Sequence, residues 1–154
     1  MVSRGRIVAL SVSTEKGVPK RNVDRARLIE NWGLEGDAHA GTGHRQVSLL
    51  AVESIAEIRA FGLNVQPGDF AENITTQGLD LAARRVGERL QVGECLLEIT
   101  QIGKVCHSRC SIYARVGDCV MPREGVFARV IRGGTVRSGD SVELVMASVT
   151  AQSE

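Results

Sequence analysis

Short apolar runs broken by glycine and polar pairs recur along the whole chain, and most have the length of a strand. Residues Arg6 to Ser13 read as a first strand, with Ile7, Ala9 and Ser11 sharing one face. Gly17-Val18-Pro19-Lys20 reads as a loop and Val23 to Ile29 as a second strand. The Gly-, Asp- and His-rich stretch 33–43 is a further loop, and Gln46 to Leu50 a short apolar strand. The best helix runs from Val52 to Phe61. Its stripe is Val52, Ile55, Ala56, Ile58 and Ala60, and Gly62 stands where a left-handed C-cap would stop it. Pro67-Gly68 is a turn.

The second half of the chain is richer in strands. Arg89 to Val92, Gly93-Glu94 and Cys95 to Gln101 form a hairpin pattern, and glycine at the first loop position suits a type II′ turn. Cys95, Leu97 and Ile99 alternate with Leu96, Glu98 and Thr100, which leaves both faces fairly apolar, as in a barrel strand packed on two sides. Gly125 to Ile131 is another strand, followed by Gly133-Gly134 and Val136. Ser138-Gly139-Asp140 is a turn before a last strand, Ser141 to Met146.

Seven or more short strands against one or two helices predict a mostly β fold. Helices do not separate the strands regularly, which excludes a doubly wound parallel sheet and favours a closed or half-closed antiparallel barrel with helical decorations. A length of 154 residues suits one domain, expected over 1–146, with 147–154 a flexible C-terminal tail.

Composition narrows the function classes. Hydrophobic residues make up 43% and aromatics 3%, so the core must be aliphatic, and a base-stacking platform is disfavoured. The 19 basic and 18 acidic residues predict no nucleic-acid or membrane-surface footprint. No apolar run approaches the roughly 20 residues of a membrane span. The run Ile7 to Val12 is too short for a signal-peptide core. A cytoplasmic protein with reduced thiols is expected, so its four cysteines point to metal binding, catalysis or burial rather than disulfides.

Three clusters are candidates for chemistry. Asp37, His39 and His44, closely followed by Arg45, bring two of the three histidines close together, and the aspartate and the two histidines could bind a metal or handle protons. The plainer reading is a polar loop whose side chains bond backbone groups. In Gly68-Asp69-Phe70-Ala71-Glu72-Asn73-Ile74, the adjacent Glu72 and Asn73 could orient a polar ligand, or the stretch is simply a turn with an Asx-type bond from Asp69. Cys106-His107-Ser108-Arg109-Cys110, with Cys119 beyond, is the third. Lys104, His107 and Arg109 favour the thiolate of Cys106, the form that attacks and ligates. Zinc held by Cys106, His107, Cys110 and Cys119 is the alternative. The adjacency of Cys106 and His107 is awkward for that, and the paired knuckles of structural zinc are missing. Cys95 reads as a core hydrophobe, and Trp32 as a packing residue.

The segments EGDAHAG, HRQVSLLAVESI, GDFAENITTQGLDL, VGERLQVGECLLEITQIGKVC and EGVFARVIRGGTVRSGDSVEL, in that order, resemble the MOSC family, the C-terminal domain of molybdenum-cofactor sulfurases. The resemblance spans about Ile7 to Leu144 and implies a barrel-like fold. It also implies that Cys106 binds the molybdenum cofactor or carries sulfur to it, with His107 beside it as a catalytic partner. Lys20, Arg45 and Arg129 become candidates for the cofactor phosphate, and Asp37, His39, His44, Glu72 and Asn73 for the pterin pocket. Cys110 and Cys119 become further metal ligands or resolving thiols. A cysteine desulfurase or a molybdoenzyme becomes the expected partner. The chain lacks the pyridoxal-phosphate domain of the sulfurases, so no bound pyridoxal phosphate is expected. It resembles small single-domain members associated with molybdopterin biosynthesis.

Overall fold

A computed structural model describes residues 4–15, 20–103 and 125–145. Along these the strands are β1 (Arg4–Val12), β2 (Arg21–Val23), β3 (Arg25–Ile29), β4 (Gly33–Leu34) and β5 (Val47–Ala51). The helix α1 (Val52–Arg59), β6 (Ile74–Gln77), a 3-10 turn at Leu81–Ala83, β7 (Arg89–Val92) and β8 (Cys95–Ile102) follow. The last three are β9 (Val126–Arg132), β10 (Gly134–Arg137) and β11 (Ser141–Leu144).

The larger sheet runs β11-β7-β8-β9-β5-β6-β1-β2, and pairing of β11 with β1 closes seven of these strands into a barrel. The predicted barrel therefore stands, with one departure: β5 and β6 run parallel. Parallel neighbours cannot be joined by a tight hairpin and need a crossover. The helix is that crossover, since α1 lies between β5 and β6 in the chain. The hairpin of β7 and β8 pairs Val92 with Cys95 across two loop residues, and Gly93 takes the positive φ of 57° that a primed turn demands.

Three local expectations are corrected. The single strand expected over Val23 to Ile29 is two, split at Asp24. β2 pairs with β1 in the barrel, whereas β3 pairs with β10 and β4 in a separate three-stranded sheet. In β1 the inward residues are Ile7 and Leu10 rather than Ile7 and Ala9, because the β1–β6 register shifts between Ile7 and Ala9. Such a bulge moves every later side chain to the opposite face. On α1, Ile55 and Ile58 are buried with Ser54, whereas Ala56 and Ala60 are exposed. An eight-residue helix laid on a sheet buries one narrow line of side chains.

The core fills the barrel with aliphatic side chains, including Ile7, Leu10, Val47, Leu49, Leu90, Leu97, Ile99 and Val130. A second cluster lies under α1: Leu50, Ile55, Ile58, Leu63, Val65, Phe70 and Phe127. Strand β5 serves both, with Val47, Leu49 and Ala51 in the first and Leu50 in the second, so all five of its residues are buried. Each fully buried Ile or Leu contributes about 1.5–3 kcal/mol. Trp32, expected to pack, keeps 44% of its surface exposed.

Candidate functional site

Lys20 and Asp37 form an ion pair with both side chains fully buried: Nζ lies 2.7 Å from Oδ1. The ammonium is also 2.9 Å from Nδ1 of His39, whose side chain is 37% exposed. Asp37 is saturated with donors. The backbone N–H groups of Ser13 and His39 donate to its two oxygens at 3.1 Å each. Burial pushes the Asp37 carboxyl up, but the Lys20 hydrogen bond, the Ser13 N–H and the Lys20 charge together hold it below the ordinary aspartate range. The loop carrying Asp37 is pinned to the end of β1, where Ala38 N–H donates to the Ser13 carbonyl at 2.7 Å.

Gly68 connects this pair to a second buried carboxylate. Its carbonyl accepts the Lys20 N–H at 2.8 Å, and its own N–H donates to Glu72 Oε2 at 2.8 Å. Thr75 Oγ1 donates to the same oxygen at 2.8 Å, whereas the buried Glu72 Oε1 has no hydrogen-bond partner among the described residues. Burial raises the Glu72 pKa, against the lowering effect of the Gly68 and Thr75 hydrogen bonds. The loop curls tightly enough to put Ala71 at φ 66°. Asn73 stitches strands together: its Oδ1 accepts the Ser48 N–H at 3.0 Å and its Nδ2 donates to the Ser11 carbonyl at 3.2 Å.

From Asn73 the site continues across the outer face of the barrel. Ser48 lies opposite Phe127 in the β5–β9 register, and Phe127 opposite Gln101 in the β9–β8 register. Opposed residues share a face. His44 and Arg45 lie over this row, both exposed. Gln101 Oε1 accepts from His44 Nε2 at 2.8 Å and from Arg45 Nε at 3.0 Å. The Arg45 guanidinium is 5.2 Å from the Phe127 ring centroid. Gln101 Nε2 donates to the Gly103 carbonyl at 2.7 Å. Gly103 N–H in turn donates to the Gly125 carbonyl at 2.6 Å.

The expected residues thus fall into two groups on one connected surface. Lys20, Asp37, His39, Glu72 and Asn73 make the largely buried part, and His44 and Arg45 the exposed part. Arg129 is on the same outer face, two residues beyond Phe127, with its Nε and Nη2 at 2.9 and 2.7 Å from Glu98 Oε1. Cys106, His107, Cys110 and Cys119 lie outside the described residues. His39 and His44 turn to different partners, and among the described residues no group of three or more His, Cys, Asp or Glu side chains could hold a metal ion. Asp69 makes a local side-chain bond, accepting the Gln66 N–H at 2.7 Å, in line with the turn reading. Cys95 is a buried free thiol pushed up to about 11 by burial, as a core residue should be.

Sequence reasoning missed Ser11, Ser48 and Gln101. Their signal was a polar residue inside an otherwise apolar strand run, such as Ser48 in Val47–Ala51. Among the described residues, clefts of about 350 and 290 Å3 lie elsewhere. One is bordered by Val23, Arg25, Leu34 and Thr135, the other by Glu53, Glu57, Leu79 and Leu81. Neither is lined by a residue of the cluster above.

The family model of the MOSC domain matches residues 36–143. The chain belongs to the MOSC domain family. The match begins at the Asp37 loop and ends on β11, so it takes in the site from Asp37 to Arg129. The MOSC barrel is also similar to solved structures. The YuaD protein of Bacillus subtilis is 20% identical, with a TM-score of 0.75 over 94% of this chain and 98% of that one. YiiM of Geobacillus stearothermophilus is 20% identical, with a TM-score of 0.69 over 96% and 78%. YiiM of Escherichia coli is 24% identical, with a TM-score of 0.63 over 91% and 69%. At these identities the likeness concerns the fold. No curated protein matches the chain. No helix of this MOSC domain, among the described residues, is long and apolar enough to cross a membrane.

Proposed function

We propose that this MOSC domain binds the molybdenum cofactor, with the Cys106 thiolate as its anchor. One observation carries the reading: His44, Arg45 and Gln101 gather beside Gly103, three residues before Cys106 in the chain. The cofactor presents a phosphate, a pterin edge and a soft metal, and the available groups suit each. Arg45 is the cation for the phosphate. Lys20 and Arg129 are engaged by Asp37 and Glu98, but Arg45 bonds only a neutral amide among the described residues. A guanidinium pairs with phosphate through two parallel N–H groups. His39, His44 and Gln101 offer the donors and acceptors that a pterin edge needs. Lys104, His107 and Arg109 are close to Cys106 in the chain, and neighbouring cations favour a thiolate over a thiol. When bound, the group supplies a metal able to accept a thiolate ligand and to change oxidation state.

Elemental analysis and intact mass of protein made in cofactor-competent cells test this, with Cys106→Ala and Arg45→Ala alongside. Molybdenum or a pterin-sized adduct is expected in the wild type, lost in Cys106→Ala and reduced in Arg45→Ala. A single added sulfur on Cys106 without molybdenum would replace the proposal with sulfur carriage from a desulfurase. Zinc in wild type and variant alike, with neither adduct, would replace it with a structural metal module.

A further inference from the structure

We infer that Gln101 is a positioning residue: a bulge in β8 turns its amide outward, where it holds the Arg45 guanidinium by Nε and leaves the two Nη groups to clamp an anion. The identity of that anion, the cofactor phosphate, rests on the proposed cofactor site, whereas the tether is a property of the free protein. Cys95, Leu97 and Ile99 of β8 point into the barrel, and strict alternation would send Gln101 after them. The β8–β9 register prevents this. Ile99 is opposite Ala128 and Gln101 opposite Phe127, so Thr100 is an extra residue in the ladder. Beyond it the faces are exchanged: Ile102 packs against the barrel core, and Gln101 shares the outer face with Phe127. The Thr100 hydroxyl is shared between the carbonyls of His44 and Phe127, which holds the bulge against the segment that carries Arg45.

The direction of the Gln101 amide is fixed from both ends. Its Nε2 donates to the Gly103 carbonyl, which can only accept, so Oε1 faces His44 Nε2 and Arg45 Nε. The reversed amide would set its NH2 group against the Arg45 N–H and its oxygen against the Gly103 carbonyl. The base of Arg45 is fixed as well. The next residue, Gln46, is buried: its N–H donates to the Ala128 carbonyl at 3.2 Å, and its Oε1 accepts the Val130 N–H at 2.9 Å. The Phe127 ring gives the guanidinium a floor, 5.2 Å from centroid to Cζ. With Nε engaged, the remaining edge carries the parallel N–H groups of Nη1 and Nη2, which match two oxygens of a phosphate. The neutrality of the partner matters. Three residues earlier on the same strand, Glu98 pairs with Arg129 and cancels its charge. An amide at position 101 orients Arg45 and leaves its charge uncompensated among the described residues.

Nitrogen-15 NMR of the arginine Nε–H groups of the full chain tests the tether, with Arg45 assigned by Arg45→Lys. In the wild type the Arg45 Nε–H signal is expected to be displaced from that of free arginine and protected from solvent exchange. Gln101→Met keeps the length of the side chain without its acceptor and should return the signal to the free position. Gln101→Glu keeps an acceptor and should retain the displaced signal. An Arg45 Nε–H that exchanges like free arginine in the wild type would overturn the inference without any variant, and so would an unchanged signal in a folded Gln101→Met. Titration with pyrophosphate, followed by amide shifts, tests the clamp. Gln101→Met should weaken binding by about three- to tenfold, the cost of ordering one long side chain at the moment of binding. Gln101→Glu should weaken it at least as much, because its carboxylate cancels the cation while the tether stays intact. No binding by the wild type, or equal affinity in the wild type and both variants, would overturn the clamp. The tether is read without any ligand, so its failure is separable from failure of Cys106 as the anchor.

Discussion

Gly68 and Lys20 meet backbone to backbone: the Lys20 N–H donates to the Gly68 carbonyl at 2.8 Å, and a Cβ on Gly68 would stand 2.5 Å from the Lys20 carbonyl oxygen. Gly68 also has a φ of 97°, which L side chains rarely adopt. Gly68→Ala is therefore expected to destabilise the domain by about 2–4 kcal/mol, through left-handed strain and the close approach together. Urea unfolding would measure it. Loss of the Lys20–His39 contact in a variant that still folds would show that this glycine places the ammonium.

Removing one partner of the buried pair should cost more than removing both. Lys20→Met leaves the Asp37 carboxylate buried without its cation, a loss of about 3–5 kcal/mol, and Lys20→Met/Asp37→Asn should recover much of it. A double-mutant cycle by denaturant unfolding checks this. Equal losses in the single and double variants would mean that the pair contributes little.

Stability should respond to pH through two carboxylates of opposite sign. The folded-state pKa of Asp37 is lowered, so its contribution is complete above the unfolded value of about 4 and fades as pH falls through the lowered one. The folded-state pKa of Glu72 is raised, so its contribution is complete below about pH 4 and is lost as pH rises through the raised value. Glu72→Gln should accordingly gain on the wild type as pH increases from 4 to 7. Unfolding midpoints at several pH values would show whether the gap between the two widens.

Cys95 should be inert to alkylation in the folded protein. Its side chain is fully buried and its pKa is pushed up to about 11, so its thiolate at pH 8 is about a hundredfold scarcer than that of a free cysteine. Iodoacetamide labelling followed by peptide mass mapping should mark Cys95 only after unfolding. Labelling of Cys95 under native conditions would contradict its place in the core.

The stitching role of Asn73 also has a measurable consequence. Asn73→Ala removes bonds to Ser48 N–H and the Ser11 carbonyl and leaves both buried groups short of a partner, a loss of about 2–4 kcal/mol. Thermal unfolding would report it. A near-neutral effect would mean that water replaces the amide.

What the sequence by itself determined was local. Alternation, turn glycines and a single amphipathic run place the β7–β8 hairpin, the strand β5 and the start of the helix, because neighbours in the chain dictate these through backbone geometry; the helix itself ends at Arg59, short of the stop expected at Gly62. Strand count and the absence of regular helices point to a barrel, and the polar motifs mark the Asp37, Glu72 and His44 loops. Tertiary structure alone decided what depends on distant partners. The parallel β5–β6 pair, the bulge that turns Leu10 inward and the division of β2 from β3 follow from which strands meet, which no window of sequence contains. The same holds for the site. Lys20 and Asp37 are 17 residues apart, and His44 and Gln101 are 57 apart. Residue type reveals that each could bear a charge or a proton. Burial and direction, which set whether Lys20 faces a ligand or a histidine, exist only once the barrel has closed.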